Sequence, residues 1–416
     1  MLEDNKSFVF NRTKLSLTLI FIATGIRSFW GLFFMCPLFV KIIFSGLIYL
    51  SLLIFPYNSI KQSKNDFNKA GQFILILLLT FILIALVRGC LDDGSAIPNN
   101  KYISLFFNEY TLPLFFPAIF TYLAVKDDLW QYVKELYVIY LIYSVLCLII
   151  LKFDPIIMSV FLVPIFLPHF HKFKKILVYI NIIAVLYVGL IVGDRKYLVL
   201  LLFSLLAYFS YVNNSFNKFV KYISIFSVLI PICLLVYALS TGNSPFEMAN
   251  DLNIKNSFNS SKDLTADSRT FLYTELSMDL TETNSWIFGK GPIGSYYSNV
   301  MESISMDKNA DWGDSSNRIQ NEVTFLSYLL KGGIVYAFCC FFILVIAILN
   351  AVFRGKNKFV RSLAVILSGI FVNSFMGDMT GCSLFQILIW LIIGTCLSSK
   401  WINYTDEEIL EKLKIN

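Results

Sequence analysis

Uninterrupted apolar stretches recur along almost the whole chain and limit its fold more than any other feature. A helix needs about 20 apolar residues to cross the roughly 30 Å of hydrocarbon in a bilayer. Continuous runs favour spanning helices over the weak alternation of a membrane β-barrel. Only 15% of the 416 residues are charged and 57% are hydrophobic, whereas soluble domains have about 25% charged residues. We therefore predict an all-α polytopic membrane protein, which excludes soluble enzymes, secreted disulfide scaffolds and nucleic-acid binders.

About twelve spans are predicted from these runs. They lie near residues 15–34, 37–55, 71–87, 105–125, 132–151, 156–167, 176–192, 197–212, 220–239, 323–349, 363–376 and 384–397. The sixth is short for a bilayer and lies between Pro155 and Pro168, so a broken or re-entrant element is the alternative. Its loss would invert everything that follows it in the chain.

The distribution of lysine and arginine tests the number of spans. With the N-terminus inside, twenty of these residues fall in inner connections and five in the short outer ones. Cytoplasmic connections carry the excess of positive charge, so we predict twelve spans, with the first as a signal anchor and both termini cytoplasmic. The net charge of +6 then reflects topology more than an anionic partner.

The chain divides into four predicted regions. Residues 1–240 hold nine spans, 241–322 form one large outer loop, 323–398 hold three spans, and 399–416 form a cytoplasmic tail. Between residues 241 and 320 the loop has eleven acidic and six basic side chains, which suits a polar surface that binds hydroxyl groups. Residues 406–414 are predicted as a short charged helix in a solvated tail.

Metal and disulfide chemistry have little support in the sequence. Six of the eight cysteines lie in apolar runs, and the large loop has none; a pair between Cys90 and Cys382 is the open alternative. Both histidines, His169 and His171, fall in a basic inner turn. We predict no metal and no cofactor, although carboxylates alone can hold Mg²⁺.

Ionisable residues at the edge of a span are costly, so each is a functional candidate. Those predicted toward the outer half are Arg27, Lys41, Arg88, Arg195 and Lys196, together with Asn108, Glu109 and Asp378. The alternative is that the long side chains extend to the interface at helix ends. Arg195 is favoured as functional because residues 193–196 join two apolar runs with almost no loop, and its guanidinium would grip a phosphate in bidentate fashion.

The outer loop contains a predicted amphipathic helix. Asp267 or Ser268 is its expected N-cap, and apolar residues from Phe271 recur at helical spacing, which is typical of a helix lying on the membrane. Arg269 falls in the first turn, where a cation opposes the helix dipole. That placement favours a bound anion near Arg269; an ordinary exposed arginine is the alternative.

Two further motifs follow in the loop. The segment GKGPIG at residues 289–294 matches GxGxxG, but no strand precedes it and no βαβ unit surrounds it. We interpret it as a tight backbone turn at the membrane surface. Glu322 then stands at the outer mouth of the tenth span, with Gly332 and Gly333 further down. Glu322 is either a working base or an acid that stabilises the helix dipole.

Taken together, these motifs resemble the O-antigen polymerase/ligase superfamily. They are GDR at 193–195, DSR at 267–269, Trp286, the glycine turn at 289–294, the pair NE at 321–322 and the pair GG at 332–333. The resemblance implies a membrane-embedded, GT-C-like glycosyltransferase of the bacterial inner membrane. Such an enzyme uses undecaprenyl-diphosphate-linked sugars at the periplasmic face, without a nucleotide sugar or metal.

The ligase branch of that superfamily typically has a histidine where this chain has Asn321. The resemblance therefore favours the Wzy-type polymerase branch, which joins lipid-linked repeat units into O-antigen or a similar polysaccharide. A ligase that transfers glycan to lipid A-core is the alternative. A lipid-linked oligosaccharide flippase and a structural membrane protein are alternatives of other classes.

The chemistry of transfer from a lipid diphosphate assigns roles to these residues. Arg195 and Arg269 are expected to bind the diphosphate, and Glu322 is the expected base, with Glu109, Asp378 and Asp267 as the alternatives. The predicted substrate-binding residues are Arg27, Lys41, Lys196, Asn108, Glu109, Asp267, Trp286, Gly289, Gly291, Arg318, Asn321 and Asp378. Tyr296, Tyr297 and Trp312 are candidates for stacking on sugars. Expected partners are the lipid-linked glycan as donor and acceptor, membrane lipids, a chain-length regulator and a flippase, with no nucleic acid.

Overall fold

The computed structural model describes residues 12–23, 38–91, 116–151, 166–192, 195–241, 245–246, 269–300, 302, 317–319, 321–380 and 384–413. Its α-helices are α1 (12–23), α2 (Leu38–Ile54), α3 (Asn58–Asp66), α4 (Lys69–Leu91), α5 (Leu129–Leu151), α6 (Lys172–Tyr187), α7 (Arg195–Val212), α8 (Asn214–Asn217) and α9 (Val220–Thr241). They continue with α10 (Thr270–Glu282), α11 (Thr324–Arg354), α12 (Lys358–Asn373), α13 (Leu384–Leu397), α14 (Ser399–Asn403) and α15 (Asp406–Lys412).

The remaining elements are short. The 3₁₀ segments Phe116–Val125 and Leu167–His169 precede α5 and α6, and a π-helical turn, Val188–Val192, extends α6. Strands β1 (Tyr296–Tyr297) and β2 (Asn317–Arg318) pair antiparallel, with Tyr296 opposite Arg318.

The chain is an all-α protein whose helices are long and apolar enough to cross a membrane, as predicted. Among the described residues four helices meet that test, namely Lys69–Arg88, Lys172–Leu190, Val220–Ala238 and Thr324–Arg354. The bent pair Ile42–Ile54 and Asn58–Asp66, at 63°, makes a fifth if it is one span. Twelve spans stay a prediction, and most of the sixth falls outside the described residues.

Large apolar side chains point outward from these helices. Leu53 is 77% exposed and Phe73 66% exposed, which is the arrangement that lipid contact requires and water disfavours. In contrast, every residue of α13 is buried, and α12 is buried along most of its length. The two helices therefore form the centre of the bundle, against which α7, α11 and the first 3₁₀ segment pack.

The predicted inner connections meet at one end of the bundle. Asp66 accepts hydrogen bonds from Ser398 and from the Lys400 backbone, and Asn217 accepts one from Arg361. Lys134 donates to the Leu413 carbonyl at 2.6 Å. Connections distant in sequence thus share one surface, as the charge pattern predicts; which side of the membrane it faces stays a prediction.

The C-terminal segment is docked, so the predicted solvated tail is wrong. Its helix forms as α15, with a capping box at Thr405 and Glu408, but Ile409 and Leu413 are buried. Asp127 binds Lys400 and lies 3.4 Å from Lys412 Nζ. Apolar residues at one face of the charged helix are what fix it to the bundle.

The outer-loop helix also forms as predicted, but its position differs. Its apolar face, Leu272, Leu276 and Leu280, is buried against residues of α11 rather than lying on lipid. The N-cap is Arg269, which makes no side-chain cap; the expected caps Asp267 and Ser268 lie outside the described residues. Helix α10 is therefore fixed to the start of α11, and that packing positions the candidate site.

Candidate functional site

One end of the bundle, which we call the mouth, is built where α11 begins. The first backbone N–H groups of a helix lack intrahelical partners, and here Thr324 N donates to Gly377 O at 3.1 Å and Phe325 N to Ser374 O at 3.0 Å. The Thr324 hydroxyl donates to Gly377 O and accepts from Met379 N. The turn after α12 thus caps α11 and holds residue 322 at the mouth.

Glu322 lies between two arginines at this mouth. Arg318 Nη2 donates to Glu322 Oε1 at 2.9 Å, and Arg269 Nη1 lies 3.9 Å from Glu322 Oε2. Arg269 is fixed from the other side, because its Nε donates to Met376 O at 2.9 Å. Three residues that the sequence singled out separately therefore form one cluster, and we call Arg269, Arg318 and Glu322 the mouth cluster.

Arg318 has an unused donor. Its side chain is 13% exposed, and its Nη1 is buried without a hydrogen-bond partner in the described part of the chain. A buried donor left unpaired costs about 1–3 kcal/mol. An acceptor oxygen delivered by a ligand would remove that cost by accepting a hydrogen bond from Arg318 Nη1.

Lys196 and Asp378 belong to the same mouth. The Lys196 side chain packs against Gly377, one residue from the carbonyl that Arg269 binds. Asp378 Oδ1 accepts from the Thr380 backbone and hydroxyl at 2.8 and 2.6 Å. The fold thus places both residues close to the Met376 carbonyl that Arg269 binds, and the carboxylate of Asp378 also stabilises its own turn.

Asn321 is engaged inside the protein. Its Nδ2 donates to Tyr296 Oη at 3.0 Å and its Oδ1 accepts from Val323 N at 3.0 Å, while the side chain is buried. Burial raises the pKa of Tyr296 to about 12, so the phenol stays neutral. These contacts give Asn321 and Tyr296 a structural task, and the stacking candidate with exposed surface is Tyr297 instead.

The glycine turn predicted at 289–294 is confirmed, and the structure shows what it binds. Gly289 and Gly291 have positive φ angles of 63° and 92°. The turn docks where α11 is kinked at Gly333, whose φ is 65° and ψ −163°. Ile334 N donates to Trp286 O at 2.8 Å and Lys290 N to Leu330 O at 2.7 Å. Loop backbone therefore replaces the hydrogen bonds that the kinked helix has lost.

Three cations secure this turn. Arg88 donates to the carbonyls of Phe288 and Gly289 at 2.8 and 3.0 Å, and Lys290 pairs with Asp279 at 2.7 Å. Lys331 is 2% exposed, and its Nζ donates to Gly294 O at 3.1 Å. Lys331 was not among the sequence candidates, although a lysine inside an apolar run beside a glycine pair is the signal that would have indicated it.

A cavity lies beneath the mouth, between α11, α12 and α13. It is lined by Thr324, Tyr328, Cys340, Phe341, Leu344, Ile370, Ser374, Met379, Gln386, Ile389, Trp390 and Ile393. Thr324, Ser374 and Met379 belong to the cap of α11. The mouth cluster therefore stands above a space with mixed apolar and hydroxyl lining.

The other predicted residues divide into two groups. Trp286 is half-buried and its Nε1 donates to Thr281 at 3.0 Å. Helix α7 begins at Arg195, and Lys41 lies in α2, but both side chains are outside the described part. Arg27, Asn108, Glu109, Asp267 and Trp312 also lie outside the described residues, as do both members of the Cys90–Cys382 alternative as side chains.

In the described ranges, no three His, Cys, Asp or Glu side chains converge as a metal site would require. Searches of protein-family models, curated proteins and solved structures found no match to this chain.

Proposed function

We propose that the chain is a polysaccharide polymerase that joins undecaprenyl-diphosphate-linked repeat units at the outer face of a bacterial inner membrane. The observation that carries the proposal is the mouth cluster, in which a carboxylate and two guanidinium groups meet at the end of a membrane bundle. Transfer from a lipid diphosphate needs both kinds of group: cations for the leaving diphosphate and a base for the attacking hydroxyl.

The acceptor sugar hydroxyl attacks the anomeric carbon of the donor, and the anomeric C–O bond to the diphosphate breaks. Glu322 accepts the hydroxyl proton, while Arg269 stabilises the negative charge that develops on the departing diphosphate. Arg195 is proposed as the second diphosphate contact, because α7 brings its backbone next to Lys196, which packs on the same turn that Arg269 binds.

We further propose twelve spans in a GT-C-like arrangement, with both termini cytoplasmic and the loop at residues 241–322 periplasmic. The twenty cations of the inner connections support this orientation, and so does the meeting of those connections at one end of the bundle. The loop then presents the mouth cluster to lipid-linked glycans that reach the periplasmic face.

A deletion strain separates the candidate functions. Loss of a polymerase leaves single repeat units attached to lipid A-core, so the surface glycan ladder collapses to one band above the core. Loss of a ligase leaves long chains on the lipid carrier and none on lipid A-core. Loss of a flippase traps single units inside the cell. We expect the polymerase pattern, with the ladder restored by the wild-type chain. The ligase or the flippase pattern would contradict the proposed function.

A further inference from the structure

Helix α11 changes its surroundings at the Gly333 kink. Before the kink, residues 324–333 are buried or half-buried, with no exposed side chain among them. Directly after it begins a row of exposed apolar side chains, which we call the α11 stripe and which consists of Ile334, Phe338, Phe342, Leu349 and Phe353. Their spacings of four and seven residues lie on one face of a helix. The exposed face of α11 is therefore apolar from Ile334 to Phe353.

The α11 stripe has the length of the hydrocarbon core of a bilayer. The whole helix has 31 residues and extends about 46 Å at 1.5 Å per residue. That exceeds the roughly 30 Å of hydrocarbon, whereas the part from Ile334 to Phe353 extends about 30 Å. The kink thus marks one boundary of the hydrocarbon, and the part of α11 before it is covered by protein alone.

Helix α4, which packs beside α11, places the boundary at the same level. Its apolar span runs from Lys69 to Arg88 and has 20 residues, or about 30 Å. Next to the start of this span, Asn68 donates to Asn350, near the end of the α11 stripe. At the other end, Arg88 donates to two carbonyls of the segment that docks on the kink. Two neighbouring helices of matched length therefore reach the boundary together.

The segment 286–289, which leads into the glycine turn, presents two large apolar side chains at this boundary. Ile287 is 59% exposed and Phe288 is 58% exposed. The Ile287 carbonyl accepts a hydrogen bond from Val335 N at 3.3 Å, which puts this segment beside the first residues of the α11 stripe. A single exposed apolar residue is ordinary, but these two adjoin a surface of lipid-facing length.

The backbone of the same segment suits a boundary with little water. An unpaired carbonyl is far more costly in lipid than in water. Four consecutive carbonyls accept hydrogen bonds from protein donors: Trp286 O from Ile334 N, Ile287 O from Val335 N, and the oxygens of Phe288 and Gly289 from Arg88. The segment is thus held firmly by its carbonyls while its two apolar side chains project outward.

We propose that Ile287 and Phe288 insert into the acyl chains of the phospholipid leaflet on the mouth side and anchor the large loop to the bilayer. Phospholipid is the partner because the two side chains continue the apolar surface of α4 and α11 at the end of both spans. The proposal rests on the membrane character of the bundle and does not depend on the proposed function. It moves the start of the tenth span from residue 323 to Ile334, so Glu322 lies outside the hydrocarbon.

The test places a photoreactive side chain on this segment. Benzoylphenylalanine replaces Phe288 in the full-length chain, which is reconstituted in vesicles of phosphatidylethanolamine and phosphatidylglycerol and irradiated. Mass spectrometry then identifies what is attached to residue 288. We expect phospholipid adducts at a yield at least about tenfold above that of a water-facing position, because an aromatic side chain favours apolar surroundings by at least that factor. Benzoylphenylalanine in place of Ile287 is a second probe in case one variant misfolds.

Thr274 is the matched control position. It is an exposed residue of α10 in the same loop, and its neighbour Tyr273 donates to the Phe375 carbonyl, which places it at the mouth. Benzoylphenylalanine in place of Phe338, within the α11 stripe, gives the reference yield of a lipid-facing position. Phospholipid adducts at residue 288 no more frequent than at residue 274, or cross-links from residue 288 to a second copy of the chain, would overturn the proposal.

Discussion

Cations around the mouth and the glycine turn differ in what their charge does, and their partners set the difference. Arg88 and Lys331 donate hydrogen bonds to backbone carbonyls of the glycine turn, so their charge stabilises a loop. Arg269 and Arg318 meet a carboxylate at the mouth instead. Sequence position alone groups Arg88 with Arg195, because both are predicted at an outer helix end. The contacts of Arg88 show that its charge has a structural task.

Gly333 is a residue where side-chain size should decide stability. Its φ of 65° with ψ of −163° is essentially restricted to glycine, and an added Cβ would lie 2.3 Å from the Ile287 carbonyl oxygen. Gly333→Ala should therefore lower the free energy of unfolding by at least about 1–3 kcal/mol, measured as a loss of thermal stability in detergent. Gly46→Ala is the control, since a Cβ there meets nothing within 4 Å. Equal stability of the two variants would contradict the docked turn.

Arg195 is the residue whose assignment depends most on function. If it holds the leaving diphosphate, Arg195→Ala removes a contact of about 3–4 kcal/mol and should slow chain growth by about two orders of magnitude. Glycan ladders at equal protein level measure this. Lys218→Ala, at the opposite end of the bundle, is a suitable control and should leave the ladder unchanged; a normal ladder from Arg195→Ala would move the role elsewhere.

At the scale of elements, the spacing of apolar residues predicted α10 because it is a local property. The surface against which α10 packs is not a local property. Leu272 of α10 packs with Leu326 of α11, which is far from it in the sequence, and no single stretch of sequence discloses that pairing. The same reason explains the C-terminal segment. Its charged composition predicts a solvated helix, whereas two buried residues, Ile409 and Leu413, are enough to dock it.

The kink and the glycine turn act as one element, which Arg88 joins to α4. Arg88→Ala removes two hydrogen bonds to carbonyls and should loosen residues 286–290 without unfolding the bundle. Faster amide hydrogen exchange at Ile334 and Lys290 measures this, because those amides bond across the junction. Arg354→Ala, at the other end of α11, is the control. Unchanged exchange in Arg88→Ala would show that the hydrogen bonds from Arg88 are not needed to hold the glycine turn.

The C-terminal dock should depend on pH through Asp127. Burial raises the pKa of this carboxyl, but hydrogen bonds from Lys400 and Tyr404 and the charges of Lys400 and Lys412 lower it by more, so the pKa of Asp127 lies below its usual value of 3.8. A depressed native pKa adds stability above the unfolded value, and that stability is lost as pH falls through the native pKa. Asp127→Asn should be less stable than wild type at pH 6, as measured by thermal unfolding, and the gap should narrow as pH falls below 3.8. A gap that is absent at pH 6, or that widens as the pH falls, would contradict the ion pair.

At the scale of the whole molecule, the bundle has two ends with different chemistry. One end joins the predicted inner connections, which are distant in sequence, by ion pairs and hydrogen bonds, and these contacts keep the helices in register. The other end gathers the mouth cluster, the kink and helix α10 of the large loop. Charge counting predicted which connections share an end, because lysine and arginine resist transfer across lipid. It did not predict that Glu322 lies between Arg269 and Arg318, since that depends on how the loop folds back onto α11.

We propose that the mouth cluster joins glycan repeat units from a lipid diphosphate. The most direct measurement reconstitutes the purified chain in proteoliposomes with undecaprenyl-diphosphate-linked repeat units and follows product length by gel. Glu282→Gln, at an exposed residue that ends α10, is the matched control. Wild type and Glu282→Gln should build a ladder of increasing length and release undecaprenyl diphosphate, whereas Arg269→Ala and Glu322→Gln should leave single units. Single units with the wild-type chain, or a full ladder from Arg269→Ala and Glu322→Gln, would contradict it.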